Sequence, residues 1–207
     1  CANALMDAAA AKSLDNTIIL SSFGPLLESF LQDEFPEVQL QVLTNLHKIS
    51  HLLNSLNGVV SALLNMSKAS NWRVRQGVAQ LLAHLAEARG MEFFSSVLLD
   101  AAWMTLLLDP VASVRYQIVQ GVGLLHTVAG TDYCRNILLP KHVAVYEQNL
   151  NTYLVRLTIL AAHVEMAKAA VDNEFKNEVL QQIRRSLEDN VPNVRRAAIL
   201  GLMDIEI

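Results

Sequence analysis

The sequence predicts an all-α fold, a right-handed solenoid of stacked antiparallel helix pairs. Three observations predict it. The 207-residue chain is 52% hydrophobic but only 17% charged and 6% aromatic, and its mean hydropathy of +0.29 signals much buried aliphatic surface. A short phrase recurs at a period near 40. Each phrase opens an apolar stripe with helical spacing.

The recurring phrase is FPEVQ at 35–39, NWRVR at 71–75, VASVR at 111–115, TYLVR at 152–156 and VPNVR at 191–195. Its valines, Val38, Val74, Val114, Val155 and Val194, are separated by 36, 40, 41 and 39 residues, in the range of helical-pair repeats. Four residues on stand Val42, Val78, Ile118, Ile159 and Ala198. Eight on stand Leu46, Leu82, Val122, His163 and Leu202. Eleven on stand Ile49, Leu85, Leu125 and Met166. Steps of four, four and three describe one face of a helix, not the alternation of a strand. His163 is the one polar member of this stripe.

A first helix precedes each phrase, over 18–31, 56–66, 93–108, 136–146 and 179–187. Pro25 and Pro140 fall inside two of these and should bend them. Asp33, Asp109 and Asp189 stand five residues before their valines, where a carboxylate meets the free N–H groups of the second helix. Each repeat therefore reads helix, tight turn, helix. One pair cannot bury its apolar face alone, and stacking accounts for the aliphatic surplus. The implied repeats are 1–13 (a second helix only), 14–54, 55–89, 90–130, 131–170 and 171–207.

The composition also excludes several classes. Two cysteines, Cys1 and Cys134, cannot build a disulfide scaffold. A net charge of −4 argues against a nucleic-acid partner. The longest uncharged run, 49–67, carries Ser50, His51, Asn54, Ser55, Asn57, Ser61 and Asn65, a polar load unfit for lipid, so no membrane association is expected. The chain opens and closes inside helical stretches, so a piece of a longer array is expected.

The residue after each valine is Gln39, Arg75, Arg115, Arg156 or Arg195. Fixed-position arginines can bind an acidic partner. The preferred reading is a structural ladder in which Arg75, Arg115, Arg156 and Arg195 pair with turn carboxylates such as Asp33, Asp109 and Asp189, because a half-buried guanidinium without a partner is costly.

The phrase, the period and the turn aspartate together resemble the HEAT repeat. LDNTI at 14–18, LQDEFPEVQL at 31–40, NWRVR at 71–75, GMEFF at 90–94 and LLPK at 138–141 are similar, more narrowly, to the C-terminal repeats of the protein phosphatase 2A scaffold-subunit family. The resemblance implies a protein that catalyses nothing and needs no cofactor. It implies that a Ser/Thr phosphatase catalytic subunit docks on the ridge of inter-helix turns. A regulatory (B-type) subunit would sit mainly on repeats outside this sequence. The location implied is cytoplasmic, with the nucleus second. Carried over by motif, the contacts are Trp72, Arg73, Val111, Tyr153, Leu154, Val191 and Asn193. Ala112 stands where the family commonly has tyrosine. Turn tips face solvent, and Trp, Arg and Tyr dominate interface energetics at about 2 kcal/mol or more each. The same ridge one repeat earlier, Phe35, Pro36 and Glu37, is assigned no role. The alternative is another HEAT-repeat adaptor or a transport receptor carrying protein cargo along its concave helices.

Other signals point to no chemistry. His47 and His51 are four apart on an expected helix, but no third metal ligand is near. His163 is expected to be a core histidine bonded to a carbonyl, Trp103 a core residue, and Cys134 a buried inert thiol. His84, His126 and His142 have no telling neighbour. Gly121 and Gly123 are expected to serve close helix packing. Arg184, Arg185, Arg195 and Arg196 form a solvated basic face interrupted by Glu188 and Asp189.

Overall fold

The structure, a computed structural model, describes residues 4, 6–7, 16–53 and 55–206. Among them every regular element is helical and no strand occurs. No helix among the described residues is long and apolar enough to cross a membrane. The expected leading helix over 1–13 lies outside the described residues except at Ala4, Met6 and Asp7. The chain divides into two compact units, Cys1–Ile118 and Val119–Ile207.

In the first unit, helix α1 (Gly24–Leu31) pairs with α2 (Pro36–Leu46), and α3 (Asn57–Met66) with α4 (Trp72–Arg89). Like helices also meet: α1 packs on α3, and α2 on α4. The reason is the spacing of apolar residues. Leu27 and Leu31 of α1 are buried, as are Val59, Ala62, Leu63 and Met66 of α3. On α4 the stripe Val74, Val78, Leu82 and Leu85 is at most 1% exposed. Gly77 of α4 lies against Leu43 of α2, where a Cβ would meet the leucine side chain at 3.0 Å. Glu28 of α1 reaches the first turn of α3, against Gly58, where a carboxylate suits the positive end of the helix dipole. Gly90 ends α4 at φ 82°, a region open to glycine. Beyond it, Phe94 and Trp103 are fully buried and meet edge to face at 5.6 Å between centroids, so Trp103 is a core residue.

The helix α5 (Ala112–Tyr133) carries a break at Gly130, φ 78°. Within the second unit follow α6 (Leu139–Gln148), α7 (Tyr153–Ala169), α8 (Asn173–Arg185) and α9 (Pro192–Glu206). Helix α7 is the hub and packs against α6, α8 and α9. Its buried face includes Ile159, His163 and Met166. Helix α8 shows the amphipathic pattern plainly: Phe175, Val179 and Ile183, at i, i+4 and i+8, are fully buried, and Asp172 caps its start through the Phe175 N–H at 2.6 Å. Gly201 of α9 lies where a Cβ would collide with Val164 of α7.

Some local expectations change. The prolines do not simply kink α-helices. Each follows a π-helical stretch, Ile19–Phe23 before Pro25 and Cys134–Leu138 before Pro140. Proline has no N–H for the preceding turn and crowds it, and a wider turn takes up that mismatch. A third π-helical stretch, Phe94–Trp103, contains no proline. His47 and His51 lie on a 3₁₀ helix, His47–Leu52, broken at Ile49. At three residues per turn, a spacing of four does not align side chains. Gly123 is not a close-packing glycine, since a Cβ there would meet only Ala169, at 3.9 Å. Tight approaches fall at Gly58, Gly77 and Gly201.

The turn tips and their buried supports

The tip residues stand at the heads of the second helices rather than in the loops before them. Trp72, Ala112, Tyr153 and Pro192 are the first helical residues, so Trp72, Arg73, Tyr153, Leu154 and Asn193 occupy the first turn, while Val111 and Val191 stand one residue before their helices. In the first unit Asn71 caps α4, its side-chain oxygen accepting the Arg73 N–H at 3.0 Å. Trp72 is half-buried and Arg73 exposed. The Arg73 guanidinium lies over the indole, 4.7 Å from its centroid, which holds the pair together as one surface feature. Val111 is half-buried, and its N–H donates to Asp109 Oδ1 at 2.8 Å. In the second unit Tyr153 and Leu154 are exposed at 40% and 46%. Val191 is half-buried and Asn193 exposed. Two apolar side chains with no assigned role also face solvent beside tips, Phe35 at 59% and Leu150 at 65%. Exposure could not be read from either, because hydropathy at a turn looks the same in or out.

Each tip is held from behind by the residue after its valine. Gln39 Nε2 donates to the Asp33 carbonyl at 2.8 Å. Arg75, Arg115 and Arg195 each donate Nη1 to the carbonyl six residues back, Ala69, Asp109 or Asp189, at 2.7 Å. Arg156 does the same toward Leu150. These bonds fasten the head of each second helix to the end of the loop before it. The aspartates close the turn from the other side: Asp33, Asp109 and Asp189 accept the N–H two residues on, from Phe35, Val111 and Val191, at 2.8–2.9 Å. That is an Asx turn ahead of the helix.

Arg75 and Arg156 also reach forward to the next turn. Arg75 pairs with Asp109 through Nε–Oδ2 at 2.6 Å and Nη2–Oδ1 at 3.0 Å. Arg156 pairs with Asp189 at 2.7 and 2.8 Å. The second pair is the more buried, with side chains 4% and 6% exposed. Asp189 also accepts the Tyr146 hydroxyl at 2.8 Å. The Arg156 hydrogen bond, the Val191 N–H and Tyr146 together outweigh burial and hold the Asp189 carboxyl down at about 2. Burial works hardest on Asp109, yet Arg75, the Val111 N–H and the nearby Arg115 charge still leave its pKa below the usual range.

Two buried histidines, His142 and His163, lie together in the second unit. His142 and His163 are 0% and 2% exposed, with ring centroids 5.7 Å apart. His163 is a core histidine, but its Nε2 has no hydrogen-bond partner, and neither ring nitrogen of His142 has one. The expected carbonyl bond is not made at Nε2. Burial pushes the His142 pKa down to about 4, and burial together with the facing His142 pushes His163 to about 3. Both are neutral at physiological pH and are poor ligands for an anion. Cys134 is buried and free, its thiol pushed up to about 12 by desolvation, which makes it a weak nucleophile. Among the described residues no group of three His, Cys, Asp or Glu is placed to hold a metal ion.

No family model and no curated protein matches the chain. Among solved structures, the chain is similar to a crystal structure of an engineered protein from a structural genomics consortium. The TM-score is 0.54 and the identity 17%, over 99% of this chain and 88% of that one. At that identity the likeness speaks for the shared helical fold alone.

Proposed function

We propose that this chain is a stretch of HEAT-repeat solenoid that acts as a non-catalytic scaffold. Its inter-helix turn ridge holds a catalytic subunit like that of protein phosphatase 2A, beside a regulatory subunit carried mainly elsewhere. The observation that carries the reading is the arginine-capped Trp72 at the head of α4, at the same phrase position as the exposed Tyr153 of α7. An aromatic side chain at a rigid, solvent-facing helix head suits a protein interface better than a core. The packing of like helix on like helix in the first unit supports a repeat stack. The mechanism is positioning: a partner held on a rigid frame meets a neighbouring partner at raised effective concentration.

Capture of purified protein phosphatase 2A catalytic subunit by the immobilised chain tests this. Trp72→Ala and Tyr153→Ala should each lower capture about tenfold or more, with urea midpoints reported alongside. Undiminished capture by both folded variants would sink the site assignment.

A further inference from the structure

Helices α6 and α8 of the second unit are joined by the Arg185–Glu147 contact rather than closely packed, and Tyr146 of α6 bonds Ser186 and Asp189 just beyond the end of α8. Between them lies a cavity of about 340 Å³, at the small end of ligand clefts. Leu150 and Asn190, from the loops that lead into the Tyr153 and Val191 tips, line it. We infer that this cavity receives one long basic side chain, an arginine or lysine, from the protein that docks on the second unit's tips. The inference rests on the scaffold reading for the source of that side chain.

The floor of the cavity is closed to a charged guest. Asp189 already accepts from Arg156, Tyr146 and the Val191 N–H. The Arg156 guanidinium is bound by that carboxylate and by the Asn149 and Leu150 carbonyls. What remains for recognition is the rim. There Arg185 is tied to Glu147 at 3.3 Å and to Gln182 at 3.0 Å, and Glu188 stands exposed. The lining holds three carboxylates, Glu147, Glu188 and Asp189, against two guanidinium groups, Arg156 and Arg185. One negative charge is in excess, so a cation is favoured over an anion. His163 on the wall adds no positive charge that would favour an anion. Leu150, 65% exposed, offers an apolar bed for the methylene stem of the guest, while its charged end stays near Glu188 and the amides of Gln182 and Asn190.

Small probes test the cavity without any phosphatase. N-acetyl-arginine amide is titrated into the whole isotopically labelled chain, and the His163 ring proton and the Gln182 and Asn190 side-chain amides are followed by NMR. Saturable shifts are expected with the arginine probe, not with N-acetyl-aspartate amide or N-acetyl-glutamine amide. Glu188→Gln, a change at an exposed site, should weaken the arginine response about three- to tenfold. Saturation by the aspartate probe, no saturable shift with arginine, or an unchanged response in Glu188→Gln each overturns the inference. Capture of the catalytic subunit separates the two readings. Loss with Trp72→Ala but not with Glu188→Lys removes the cavity's role and leaves the ridge. Retention by Trp72→Ala, Tyr153→Ala and Glu188→Lys alike removes the ridge as well.

Discussion

Arg156 and Asp189, 33 residues apart, form a two-toothed ion pair at 2.7 and 2.8 Å with both side chains nearly out of solvent. The pair joins the head of α7 to the turn before α9, so one helix pair sets the tip of the next. Asp189→Ala should cost about 3–5 kcal/mol, because it strands a buried guanidinium and frees the Tyr146 hydroxyl. The double change Arg156→Met with Asp189→Leu should cost less than the two single changes added together. Urea unfolding of the parent and these four variants checks this, and an Asp189→Ala variant as stable as the parent would falsify it.

The buried histidines make stability acid-sensitive. His142 and His163 have folded values of about 4 and 3 against 6.5 in the unfolded chain. Below pH 6.5 the unfolded state binds protons that the folded state refuses. The stability is therefore complete above about pH 6.5 and falls with acidification toward pH 4, by about 1.4 kcal/mol per pH unit per histidine. Asp189, with a folded value of about 2 against 3.8, adds a second loss as pH falls from near 4 through 2. Urea midpoints measured from pH 7.5 to 4 should decline, and His163→Leu should flatten the decline. A flat profile in the parent would contradict the burial argument.

Two glycines should resist substitution for different reasons. At Gly130 a Cβ would meet nothing within 4 Å, but φ is 78°. Gly130→Ala therefore costs backbone strain alone, about 1–2 kcal/mol. At Gly201 the helical backbone is ordinary, and alanine would gain about 1 kcal/mol of helix propensity. The collision with the stiff Val164 side chain should reverse that sign. Val164→Ala in the Gly201→Ala background should then recover part of the loss. Thermal melting reads both.

Cys134 should be silent in the folded chain. It is fully buried with its thiol pushed up to about 12, so little thiolate exists at neutral pH. Alkylation mapped by peptide mass spectrometry should modify Cys134 at the rate of unfolding and no faster. Rapid labelling under native conditions would show that the core around it opens locally.

Helix existence was legible because periodicity is a local signal. Val42, Val78, Ile118, Ile159 and Ala198, picked out at four residues past each valine, are all fully buried. So are Ile49, Leu85, Leu125 and Met166, eleven past. The phrase valines themselves divide: Val74, Val114 and Val194 are buried, Val38 and Val155 only half so. Trp72, Arg73, Tyr153, Leu154 and Asn193 were legible as turn-facing residues, but not as members of the opening turn of the second helix. That placement depends on where the loop ends, which Asn71 and the Asx turns at Asp33, Asp109 and Asp189 decide.

The amino-acid order alone determined that the chain is helical, where its apolar faces lie and which positions repeat, because a side chain's neighbours at i+3 and i+4 are fixed by helix geometry. It did not determine which arginine finds which aspartate. All the phrase arginines look alike in sequence, and each reaches back locally. Arg75 and Arg156 also reach Asp109 and Asp189, because packing brings turns 34 and 33 residues apart within reach. The tertiary structure alone also placed His142 against His163 and left a cavity between α6 and α8. Both follow from how far neighbouring helices stand apart, and that separation is set by side chains distant in the chain.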